Sequence, residues 1–464
     1  MTKESSESPR GSGLPGHERD SEHAHEHRLG PSYSRAGEAT PDAQASKALS
    51  VAEHPEQFEE RIKELAQAAG EKIDLTRRKF LAATTGAAAA LLAMPAVSSL
   101  RADAATDPEF HSLVQENQSD TPEVAFKPKP DNFAWTFGGY KPIISAKPGQ
   151  LIRLWTEDAF AGGIRSKQDL PTKVLKFPFV NPQTGPIHVE GAAVGDTLAI
   201  HFVDVQPARD WAASCTIPLF GSLTGTNYTQ LLNPALREIV WMYKVNKDRR
   251  TVLYQANDSD WSVEIPLKPF HGTVGVAPKA MEVRNVLVPE AFGGNMDSPE
   301  ARAGTTIFLG VNVEGALFSI GDGHYSQSEG EVCGVAVEGA MNTTMVVDVI
   351  KNTFVEWPRL EDDEYIMTAG SYRPLEDCFR IAYTQLVRWV SSDFGLSLMD
   401  AYQLVSQVSK THVANVVDPN YTIIAKFPKR YLPPNRRAMG GVHNKLSRLA
   451  KRFGDKAKAR TFTT

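Results

Sequence analysis

From about residue 140 to 350 the chain is interrupted every few residues by Gly, Pro, Asn or Asp, and the stretches between are too short for stable helices. QLIRLWTE, DTLAIHFVDVQP, EIVWMYKV, TVLYQA, WSVEIPL, TTIFLGVNV, ALFSIG, VCGVAVEG and TTMVVDVI are rich in β-branched and aromatic residues. Several alternate apolar with polar, as half-buried antiparallel strands do. Helical spacing begins later, where Leu375, Phe379, Ala382, Leu386 and Val390 recur on one face and Ser397 with Asp400 forms a capping pair. The pattern predicts a mainly β fold, an antiparallel sandwich or barrel core, with an α+β C-terminal part.

With 464 residues and an ordinary apolar content, the chain can bury a sizeable core. A formal charge of -5 gives no electrostatic footprint for nucleic acid. The cysteines, Cys215, Cys333 and Cys378, are far apart and lack CxxC spacing, so neither a disulfide framework nor a thiolate metal site follows.

Residues 1–75 are polar, with too few large apolar side chains to offset the entropy of folding, and are expected to form a disordered leader. Residues 76–104 combine Arg77-Arg78, a short alanine-rich apolar run and the A-x-A site Ala102-Asp103-Ala104, the layout of a twin-arginine export signal. The expected partner is the twin-arginine translocase, and the destination is periplasmic or secreted. The remainder divides into a β-rich core over 105–370, a helical part over 371–428 and a basic tail over 429–464 read as a solvated extension.

Chemistry-bearing side chains collect in the segments between strands: Thr156-Glu-Asp158, the stretch around His271, Gly293-Gly-Asn295-Met-Asp297, and Gly321-Asp-Gly-His-Tyr-Ser-Gln-Ser-Glu-Gly-Glu331. Asp322 and His324 are one residue apart, so on extended backbone both emerge on one face and can reach one cation. Imidazole and carboxylate donors suit a divalent ion whose open position admits water or substrate.

TGPIHVEGAAVGDTLAIHFVDV (184–205), HGTVGVAP (271–278), GGNMD (293–297) and VEGALFSIGDGHYSQSEGEVCG (313–334) follow, in order, the pattern of the acetamidase/formamidase family, which the chain resembles over Leu151 to Met367. The resemblance implies a bound divalent metal ion, zinc being expected, a homo-oligomer, and hydrolysis of a small primary amide to carboxylate and ammonia. It makes Asp322 and His324 metal ligands, joined by His271 and Asp158. Asn295 becomes a donor to the amide oxygen, and Glu331, with Glu329 competing, the proton shuttle.

Each has a plainer alternative: His271 as a core histidine, Asp158 as a strand-end cap, the glutamates as partners of an arginine. The chain reads Gln327-Ser-Glu-Gly-Glu331 where the family has QGDGE, and FAWTFGGYKP (133–142) departs from the expected rim. A thiolate mechanism through Cys333 has no lysine placed beside it, and that residue sits in an apolar run. The alternative to an enzyme is an exported binding protein that keeps the fold without turnover.

Overall fold

A computed structural model describes residues 110–114, 123–224, 235–458 and 462. All of these lie in the second of two units, Met1–Arg101 and Ala102–Thr464. The leader and the export signal lie outside the described residues.

Strand Met341–Lys351 organises the layers. It is buried almost throughout, and its side chains alternate between two apolar cores: Met345, Val347 and Val349 face one, Val346 and Ile350 the other. Antiparallel pairing with Leu151–Thr156 on one side and Thr197–Pro207 on the other places it inside a ten-stranded sheet. The sheet continues through Thr306–Gly310, Arg359–Glu361, Tyr365–Tyr372, Tyr421–Pro428 and Lys410–Asn415.

A five-stranded sheet, ordered Gly293–Asn295, Phe270–Gly275, Phe318–His324, Gln183–Val189 and Ile144–Ala146, shares the first core with it: Ile152, Ile200 and Phe202 of the large sheet pack with Ile187, Val274 and Phe318. A four-stranded antiparallel sheet, Trp211–Thr216 through Ser262–Pro266, adds a smaller layer. The sheets are open, so the sandwich expectation describes the fold and the barrel does not; two strand pairs, Val124–Phe126 with Leu151–Thr156 and Ile144–Ala146 with Gln183–Val189, are parallel.

The second face of the large sheet is covered by helices. Leu375–Phe394 buries Cys378, Ala382, Leu386, Trp389 and Val390 at helical spacing and ends at Gly395, whose φ of +68° suits a glycine C-cap. Fully burying side chains the size of Trp389 or Phe427 stabilises by roughly 1.5–3 kcal/mol each. Phe379, expected on this face, is instead exposed. Ser397 caps the next helix, Leu398–Val408, by accepting from the Asp400 N–H at 3.0 Å.

Two expectations are corrected. The segment 371–428 is not purely helical, because Lys410–Asn415 and Tyr421–Pro428 complete the large sheet. The basic tail is not a solvated extension: Val442–Phe453 is a helix that buries Val442, Leu446, Leu449 and Phe453, a stripe concealed in sequence by the intervening Lys and Arg.

Candidate metal and catalytic site

Strand Phe270–Gly275 lies between Gly293–Asn295 and Phe318–His324, with Thr273 opposite both Asn295 and Gly321. This register gathers Asp297, Asp322 and His324 at one end of the five-stranded sheet. Gly272 leaves them room: a Cβ there would come within 3.0 Å of Asp322 Oδ2, Asp297 Oδ1 and His324 Cε1. Asp297, Asp322 and Glu331 have φ of +47°, +55° and +48°, a left-handed backbone uncommon for non-glycine residues and often found at functional sites.

His324 Nε2 is 3.2 Å from Asp322 Oδ1 and 3.3 Å from Glu338 Oε1. Two sets of three potential donors form around it, Asp297–Asp322–His324 and His324–Glu331–Glu338, each with its ligand atoms within 4.8 Å of one another. Asp418 and Asn295 lie alongside, with Asn295 Nδ2 2.9 Å from Asp418 Oδ2. All five carboxylates are buried.

So many buried acids against one imidazole repel one another. Burial and like charge push Asp297, Glu338 and Asp418 well above the usual carboxylate range and Glu331 to about 7. Burial opposes charge on His324, yet Glu338 and Asp322 outweigh it and hold its pKa well above the ordinary value. Burial also acts on Asp322, but the charge and hydrogen bond of His324 prevail and lower it.

The residues fit a divalent ion. Asp297 Oδ1 and Glu338 Oε2 are buried without a hydrogen-bond partner, a costly state for a polar atom that a cation would relieve. The donor set, one imidazole nitrogen with carboxylate oxygens, is that of zinc and related ions.

Of the expected ligands, Asp322 and His324 are brought together, whereas His271 and Asp158 belong to neither donor set. His271 donates from Nδ1 to the Gly321 carbonyl at 2.9 Å, so Nε2 accepts from Thr343 Oγ1 at 2.7 Å; no lone pair remains for an ion. The ring stacks on Phe202, and burial lowers its pKa to about 4. Asp158 accepts from the N–H groups of Phe160 and Gly162 and pairs with Arg209 at 2.7 Å, closing its own turn.

Glu331 faces the cavity, but Glu329 turns outward to His412 at 2.8 Å. The amide hydrogens of Asn295 point to Asp297 Oδ2 and Asp418 Oδ2, so the donor expected for a substrate is already engaged. Cys333 is an exposed residue, not the core filler its apolar run suggested; its thiol donates to the Val335 carbonyl at 3.1 Å, and partial desolvation with the nearby Glu331 charge raises its pKa, which disfavours a thiolate.

Sequence reasoning missed Asp297, Glu338 and Asp418 as members of the site. Asp297 stood in a quoted motif and had a signal. Glu338 was hidden in VCGVAVEG, read as a strand; the structure leaves that segment irregular, with only an isolated bridge at Glu338 to His324 and Ala213, and turns the carboxylate inward. Asp418 comes from the distant Asp418-Pro-Asn turn and gave no local signal.

Above the acids lies a cavity of about 60 Å³ walled by Phe160, Val180, Leu287 and Val335. It shares Leu175, Phe177, Ile217 and Phe220 with a wider, apolar mouth of about 590 Å³.

The sequence pattern described as "Acetamidase/Formamidase family" matches residues 139–286 and 279–431. The chain is 28% identical over 266 residues to the acetamidase of Mycolicibacterium smegmatis, covering 45% of this chain and spanning 63% of that protein's length. Among solved structures it resembles the acetamidase from Yersinia enterocolitica, with a TM-score of 0.63 and 41% identity over 68% of this chain and 94% of that one. An acetamidase from Bacillus halodurans gives 0.59 and 28%, covering 66% and 98%. The matched segments take in every strand of the acid-lined sheet as well as Asp418, and the chain belongs to the acetamidase/formamidase family.

Proposed function

We propose that the protein hydrolyses short aliphatic primary amides, of the formamide and acetamide type, to carboxylate and ammonia, with zinc or a similar divalent ion held by Asp297, Asp322 and His324. The observation that carries this reading is the pair of partnerless buried oxygens, Asp297 Oδ1 and Glu338 Oε2, beside His324 under a cavity small enough for a simple carboxamide. Relatives named acetamidase and formamidase support amide hydrolysis as the reaction.

When bound, the ion supplies Lewis-acid polarisation of the carbonyl and acidifies water. Glu331 takes a proton from the attacking water on its carboxylate and returns one to the departing nitrogen, so that ammonia leaves neutral. Its buried setting makes it a stronger base than a solvated carboxylate, which favours taking the proton. Glu338 shares the His324 contact and keeps a second acid at the reacting centre. The apolar walls, Phe160, Val180, Leu287 and Val335, lower the local dielectric beside the acids, which strengthens the electrostatic contacts there. Leu175, Phe177, Ile217 and Phe220 favour an apolar substituent on the amide.

Export by the twin-arginine translocase and assembly as a homo-oligomer belong to the same proposal; Arg77-Arg78 and the A-x-A site support export. The test is ammonia release from an amide panel. A chelator should abolish it and added zinc restore it, while a thiol-blocking reagent leaves most of it. Loss with the thiol reagent alone would move the mechanism to Cys333. Binding of metal and amide without ammonia would leave a binding protein.

A further inference from the structure

The segment Gln327-Ser-Glu-Gly-Glu331 carries two acidic side chains, Glu329 and Glu331, and the structure gives the outward-facing Glu329 a definite partner. Glu329 Oε1 is 2.8 Å from His412 Nε2, and its Oε2 accepts from the Val413 N–H at 2.9 Å. The Val416 N–H donates to the Gly330 carbonyl at 3.1 Å, so the Glu329–Glu331 turn is tied to strand Lys410–Asn415 and the residue after it.

The opposite edge of the same imidazole is also engaged. His412 Nδ1 is 2.9 Å from Glu300 Oε1, which receives Lys426 Nζ at 2.7 Å. Glu300 Oε2 accepts from Ser298 Oγ at 2.9 Å, and Ser298 follows Asp297 directly. One ring therefore joins two turns with left-handed residues: the turn holding Glu331 at φ +48° and the turn holding Asp297 at φ +47°.

We propose that His412 is a positioning residue which, by clamping Glu329 and Glu300 together, fixes the distance between Glu331 and the Asp297 side of the site. This rests on the reading of Glu331 as the proton shuttle. Glu329 is well exposed, so the ion pair adds little to stability. Its effect is geometric, and misplacement of a reacting group by about 1 Å can cost on the order of 100-fold in rate.

The test uses the full chain with His412→Phe, which keeps a ring but removes both contacts, and His412→Gln, which can retain one. Expected for His412→Phe is a kcat for acetamide lower by about 10- to 100-fold, with KM and bound zinc per chain close to wild type; His412→Gln recovers part of the loss. Glu329→Gln should lower kcat as well, and the His412→Phe/Glu329→Gln pair should be no slower than His412→Phe alone, because the residues act as one unit. Unchanged kcat, additive losses, or a loss that merely follows the folded fraction would overturn the clamp.

Hydrogen exchange separates this from the enzyme reading. If wild type releases no ammonia from any amide, that reading falls. The clamp is then decided by the Val413 and Val416 amides, which should exchange at least tenfold faster in His412→Phe; unchanged exchange overturns it.

Discussion

His324 Nδ1 lies 2.7 Å from Gln327 Oε1, and this contact decides which nitrogen faces the acids. Gln327 Nε2 donates to the carbonyls of Asp297 and Ala414, both at 3.0 Å, so its amide cannot be turned round without losing two bonds. Oε1 therefore accepts, Nδ1 carries a proton, and Nε2 is left toward Asp322 and Glu338. Groups that orient a ligating imidazole in this way typically contribute 10- to 100-fold to metal affinity. Gln327→Ala should weaken zinc binding by about that factor, read by competition with a chelating dye; equal affinity would mean that the ring needs no such partner.

Glu331→Gln keeps shape and burial but cannot take a proton. Steady-state ammonia release should show kcat reduced by roughly 10²- to 10⁴-fold with a small change in KM. Glu329→Gln should cost less, since that side chain points to His412 and not into the cavity. Equal losses would place both glutamates at the reacting centre.

Far from the acids, His201 Nδ1 and His443 Nδ1 share Thr306 Oγ1, each at 2.9 Å. Burial lowers both pKa values, that of His201 to about 3. An unfolded histidine binds its proton near pH 6.5, whereas folded His201 resists until about 3. This contribution is therefore complete above about pH 6.5 and is lost progressively as pH falls toward 3, at about 1.4 kcal/mol per pH unit for this one group. From pH 7 to pH 5 wild type should lose about 2 kcal/mol relative to His201→Asn, read as the difference between their urea midpoints so that the raised carboxylates, which titrate alike in both, cancel; the substitution changes the slope by that amount. An unaltered slope would contradict the assignment.

The cavity's mouth is apolar and its floor acidic, so an anionic substituent on the amide meets both a desolvation cost and like-charge repulsion. Acetamide and propionamide should be hydrolysed with kcat/KM at least 100-fold above that for malonamate. Comparable values would show that the substituent points elsewhere.

The strands and the helix at Leu375–Phe394 were legible because their periodicity is local. Asp322 and His324 were legible as a D-x-H pair in one short motif, although Asp322 at φ +55° departs from the extended backbone that alternation requires. His271 misled for the converse reason: an imidazole in a motif does not reveal that Gly321 and Thr343 already satisfy both nitrogens. Glu338 sat in an apolar run whose irregular backbone depends on bridges to His324 and Ala213. Asp418 reaches the acids through long-range folding, which no window of sequence contains. The helix Val442–Phe453 was concealed because its apolar stripe lies within a run of positive charge.

Zinc counted per chain by elemental analysis, in wild type and in Asp297→Asn/His324→Gln, tests the account most directly. One ion per chain in wild type and none in the variant is the predicted result. Wild-type protein that releases ammonia at full rate with no bound divalent ion, or a variant that retains its ion, would contradict it.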